Sequence, residues 1–91
     1  MSGHDDEAAR LLAFGAEWPY DAPDAWRDAD APGSPPPARD WAHAAARGIL
    51  ASLEDRRGIK HELDDVDEDV RAEMVETFAG VIRAAARAGA P

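Results

Sequence analysis

The chain has 91 residues, 45% of them hydrophobic, and a net charge of −9 from 19 acids against 10 lysines and arginines. That length suits one domain with a small core, since a chain of this size buries only about 60–65% of its unfolded surface. The absence of cysteine excludes disulfides, thiolate metal ligands and cysteine nucleophiles, and the acidic balance opposes contact with phosphate backbones and anionic membranes.

Residues 4–14 read as a first helix. Asp5, Asp6 and Glu7 suit the positive end of its dipole. Leu11, Leu12 and Phe14 form an apolar flank, and Gly15 reads as the stop. Residues 16–34 form a Pro- and Trp-rich strap. Six of the seven prolines lie between Pro19 and Pro37, so no long helix crosses this region. Trp18, Tyr20 and Trp26 also lie here, and disordered linkers are poor in aromatics. An ordered strap packed on the helices is the expectation, with a short helical turn near Pro23.

A second helix is expected over 35–57, with Ser34 as cap and Pro35 at its first position. Trp41, Ala45, Ile49 and Leu53 fall on one stripe, with Ala42, Ala46 and Leu50 beside it. Gly48 is a weak helix former whose expected compensation is close approach by another helix. Arg56, Arg57 and Gly58 mark the end. The last helix is expected over 64–88, opened by an Asp65/Glu68 capping box. Its stripe is Val66, Val70, Met74, Phe78, Val81 and Ala85, widened by Val75 and Ile82. The fold class is therefore all-α: an antiparallel helical hairpin with a short N-terminal helix and the strap packed across it.

The acids Glu62, Asp64, Asp65, Asp67, Glu68 and Asp69 resemble a calcium loop only superficially. The position needing a turn glycine is Val70, and helical periodicity runs through the segment. Acids gathered at a helix N-terminus explain the run, with an acidic docking surface as the functional alternative. Arg56, Arg57, Lys60 and His61 read as helix C-terminal charge. His4, His43 and His61 lack metal-site spacing, and His43, between Arg39 and Arg47, reads as solvated. The few hydroxyls, Ser2, Ser34, Ser52 and Thr77, sit in no nucleophile motif. No catalytic, cofactor-binding or metal-binding residue is expected.

The stretch from Trp41 to Ala86 contains Ala46-Arg47-Gly48-Ile49-Leu50, Asp55-Arg56-Arg57-Gly58-Ile59-Lys60 and Val66-Asp67-Glu68-Asp69-Val70-Arg71. It resembles small uncharacterised Ala/Arg-rich helical proteins of proteobacteria and their prophages. The resemblance implies a bacterial or phage origin and assigns no role to any residue.

The expected function is that of an acidic protein–protein interaction module without catalytic activity. Its expected partner-binding residues are the six acids from Glu62 to Asp69, with Val75 and Ile82 as an open flank for a homodimer. Trp18, Tyr20 and Trp26 are the alternative partner-binding set. One rival reading is a phage-type inhibitor, a DNA mimic or anti-defence protein that blocks a basic nucleic-acid site. Another is a small regulator that binds nucleic acid through Arg56, Arg57 and Lys60. No run reaches the ~18–20 apolar residues of a membrane span. The acidic start, the reverse of a signal peptide's, makes the expected location the bacterial cytoplasm, or the host's for a phage protein.

Overall fold

Three consecutive prolines, Pro35 to Pro37, delay the start of the central helix. Each disfavours the α conformation in the residue before it, so the chain stays extended through this run. The computed structural model describes residues 3–89, with side chains from residue 5 onward; the His4 side chain lies outside that range. Among the described residues the fold is all-helical, without strands. The elements are α1 Gly3–Glu17, α2 Asp24–Arg27, α3 Trp41–Glu54, α4 Lys60–Asp64 and α5 Glu68–Gly89.

The expected cap at Ser34 is therefore replaced. Asp40 is the N-cap of α3, with extended φ and ψ of −156° and −176°, and its carboxylate accepts from the His43 backbone N–H at 2.9 Å. The same carboxylate accepts from Arg83 of α5 at 2.8 Å. Both bonds hold the Asp40 carboxyl below the usual aspartate range, the backbone bond most strongly. α3 ends at Glu54 with Asp55 as its C-cap, three residues before the expected end, so Gly58, left-handed at φ 81° as expected, lies in the turn before α4 and not at the C′ position of α3. The short α4 was not foreseen. The chain turns once more at Asp65, and α5 begins at Glu68, so the Asp65/Glu68 box does not open it.

α3 is the centre of the molecule. α1 and α5 both pack on it, and α4 touches it more lightly. Gly15 does not stop α1. It lets α1 cross α3 at backbone distance: a Cβ on Gly15 would lie 2.8 Å from the Arg47 carbonyl carbon and oxygen. Gly48 answers from α3, where a Cβ would come within 3.2 Å of Leu12. The close approach expected at Gly48 is thus supplied by α1.

The core uses Ala42, Ala46 and Leu50 of α3, Tyr20, Leu63, and Val75 and Ala79 of α5. Leu53, Met74, Phe78 and Ile82 pack against it half-buried. Both expected stripes are off by about one residue. Trp41 is 62% exposed and Val81 63%, and Ile49 and Val70 are also exposed. The small side chains Ala42 and Ala46 let α5 come close, so the bulkier neighbours rotate outward.

Candidate functional site

The segment joining α1 to α3 supplies partners to the buried polar side chains, His43, Arg47 and Glu54 of α3 and Arg71 of α5. Asp21 lies over α3 and bonds two of its side chains. Arg47 donates from Nε to Asp21 Oδ1 at 2.7 Å, and His43 Nε2 lies 2.9 Å from Asp21 Oδ2. His43 Nδ1 accepts the backbone N–H of Arg39 at 2.9 Å, so the ring proton sits on Nε2 and donates to Asp21. Arg47 also donates to the Pro36 carbonyl at 2.8 Å. His43 and Arg47 are buried, which corrects the reading of this face as solvated. Helical spacing sees only charged residues on that face; it cannot see the chain that covers them. Both nitrogens of His43 are engaged within the chain, and the cluster forms a polar seam between this segment and α3.

Arg71 ties the same segment to α5. It is buried and donates to the carbonyls of Tyr20, Val66 and Ala22, and to Asp24 Oδ1 at 2.5 Å. Tyr20 is buried, and its hydroxyl donates to the Leu63 carbonyl at 2.8 Å. Trp18 and Trp26 are half-buried and meet with ring centroids 5.0 Å apart. Arg27 stacks on Trp18 at 5.4 Å and donates to the Pro19 carbonyl at 2.9 Å. Of the three aromatics offered as an alternative binding set, Tyr20 thus belongs to the core, and only Trp18 and Trp26 keep surface. Among the described residues no buried side-chain nitrogen or oxygen lacks a hydrogen-bond partner.

Trp18 also walls a groove of about 540 Å³ between α1 and the end of α3. Its apolar lining (the floor) is Leu11, Phe14, Trp18 and Ala51, and its charged lining (the rim) is Arg10, Arg56, Arg57 and Lys60, with the exposed Asp55 and the buried Glu54. Asp55 is held by Arg10 at 3.2 Å, and Glu54 faces Arg27 at 3.6 Å. Sequence reasoning took Arg56, Arg57 and Lys60 as charge at a helix end and missed the apolar floor. Phe14 followed by Trp18 one turn later was the available signal.

Burial pushes the Glu54 carboxyl above the usual glutamate range, and Asp64 nearby pushes it further; Arg27 and Lys60 oppose this in part. The folded state therefore holds this proton more tightly than the unfolded chain, and ionising Glu54 costs stability as pH rises past the ordinary value of 4.5. Glu54→Gln is expected to raise the thermal midpoint at pH 7. The gain should shrink on acidification and vanish once Glu54 is protonated in both states. A lower midpoint for the glutamine variant at pH 7 would show that the Arg27 pair outweighs burial.

The six acids at the α4–α5 junction do not form one free surface. Asp64 reaches Lys60 at 3.5 Å and Arg27 at 3.9 Å. Glu68 accepts the Asp24 backbone N–H at 2.5 Å, and Asp69 accepts that of Val70 at 3.0 Å. All six acids are nevertheless exposed, and Glu62, Asp65 and Asp67 make no ion pair among the described residues. Among the described residues no three His, Asp or Glu side chains converge on a point that could hold a metal. Val75 is fully buried and Ile82 half-buried against the core, so the flank expected to stay open is covered at Val75 and partly covered at Ile82. Among the described residues no helix is long and apolar enough to cross a membrane.

No family model, curated protein or solved structure matches the chain.

Proposed function

We propose that the chain is a small acidic protein–protein interaction module without catalytic activity, and that a second copy is its partner. The observation that carries this reading is the set of large apolar side chains left exposed on α3 and α5: Trp41, Ile49, Val70 and Val81. We read the scaffold as an antiparallel hairpin of α3 and α5 tied by the aromatic strap, in keeping with the Arg83–Asp40 bond at the start of α3. In that arrangement the residue before each core position turns to the same side on both helices. Trp41, Ala45 and Ile49 then adjoin Val70, Met74, Phe78 and Val81 on one face. Apolar surface of this kind, on a chain with so small a core, favours burial against another molecule. Two copies meeting there bring four long helices together about a twofold axis.

Light scattering at micromolar concentration should return twice the 9.8 kDa chain mass. The dimer should tighten as salt screens the repulsion between two chains of charge −9. Ile49→Glu with Val81→Glu should give a monomer of unchanged helicity. A wild-type monomer at every concentration and salt overturns the homodimer.

The rival readings have less support. The DNA-mimic reading needs free carboxylates, yet Asp64, Glu68 and Asp69 are already bonded within the chain. The nucleic-acid reading needs a broad basic surface, whereas Arg56, Arg57 and Lys60 share their groove with Glu54 and Asp55. The lack of cysteine, the arginine-rich composition and the resemblance over 41–86 support a bacterial or phage protein working in the cytoplasm.

A further inference from the structure

We propose that the groove between α1 and the end of α3 binds a small amphiphilic monoanion, its apolar body on Phe14 and Trp18 and its carboxylate between Arg56 and Arg57. The groove's volume, about 540 Å³, falls in the size range of small-molecule sites, and its exposed lining is mostly apolar. Phe14 is 43% exposed at its floor, although a chain with so few large apolar residues has use for each in its core.

The rim is cationic in a molecule that is otherwise strongly acidic. Four of the chain's ten lysines and arginines stand on it, against two carboxylates. Arg10 is held by Glu7 and Asp55, and Lys60 by Asp64. Arg56 and Arg57 make no ion pair among the described residues and are exposed. Their position past the last turn of α3 already favours positive charge, but that does not account for the aromatic floor beside them. Guanidinium groups next to an apolar surface suit a carboxylate, which they bond in bidentate fashion.

Charge also selects between occupants. An acidic polypeptide would meet the field of the whole chain, net −9, over much of its length. A small monoanion seated in the groove senses mainly the charges within a Debye length of about 8–10 Å, and there Glu7, Glu54, Asp55 and Asp64 are engaged by Arg10, Arg27 and Lys60, which leaves Arg56 and Arg57 to meet the anion.

The test uses the full chain and decanoate at submicellar concentration, read by calorimetry and by backbone amide NMR shifts. Saturable binding is expected, with shifts confined to residues 10–18 and 51–60. Decanol, which lacks the charge, and butyrate, which lacks the chain length, should each bind about tenfold more weakly or worse. Arg56→Glu with Arg57→Glu should weaken decanoate binding by a similar factor while leaving the helical circular dichroism spectrum unchanged. The proposal is overturned by absence of saturable binding, by shifts centred on Trp41, Ile49 and Val81 instead, by equal binding of decanol or butyrate, or by a double variant that binds as wild type.

Discussion

Asp21→Ala is expected to destabilise the fold by about 3–5 kcal/mol, because it strips the partner from a buried arginine. Arg47 is only 4% exposed, and its short bond to Asp21 is its one ion pair. The Pro36 carbonyl would remain as a neutral acceptor, insufficient for a charge taken out of water. His43 would lose its Nε2 partner in the same step. A domain of this size has about 5–15 kcal/mol of stability in all, so much of the transition should move to low denaturant. The contrasting variant is Asp21→Ala with Arg47→Met, which removes the stranded charge and should recover much of the loss. Chemical denaturation followed by circular dichroism measures both. If Asp21→Ala unfolds at the wild-type midpoint, the segment from Trp18 to Asp40 is not held on α3 in the way described.

Tyr20→Ala should cost a similar amount, about 3–5 kcal/mol, through the cavity left by a fully buried ring. The hydroxyl bond to the Leu63 carbonyl would go with it. Tyr20→Phe separates the two effects: it keeps the ring and should cost only about 0.5–1.5 kcal/mol for the lost hydrogen bond. Trp26→Ala is the useful comparison. Trp26 is half-buried, and its indole N–H donates to the Gly33 carbonyl within the same segment at 3.1 Å. Its removal should therefore cost clearly less than that of Tyr20. A reversed order, with Trp26 the costlier residue, would place the anchor of this segment at the tryptophan pair and not at Tyr20.

Local signals in the chain were enough for the helical class and for several details. Acids near the start of α1, Pro23 before a short turn, Gly58 past α3 and the apolar periodicity of α5 each act over one or two helical turns, so neighbouring residues decide them. The same locality explains where the reading slipped. Ser34 had the right chemistry for a cap, but three prolines kept the chain extended, and Asp40 took the role. Gly15 looked like a terminator in one dimension; in three it is the point where α1 meets the α3 backbone.

Tertiary structure alone decided which face of each helix is inside. The stripes on α3 and α5 are broad, and a rotation of one residue exchanges Trp41 and Ile49 for Ala42, Ala46 and Leu50 as core. Periodicity cannot choose between them, because the choice depends on how closely the partner helix approaches. The polar seam was illegible for a related reason. Asp21 and Arg47 are 26 positions apart and Arg71 and Tyr20 are 51 apart, and each pair is stable only because the other elements exclude water around it. The groove likewise exists only where α1, Trp18 and the turn after α3 come together, so the sequence shows its residues as unrelated local features. Composition and short-range spacing determined that the chain is an acidic helical protein. The burial of His43, Arg47 and Arg71, and the apolar surface left outside, were decided by the packing of segments distant in sequence, which no local pattern encodes.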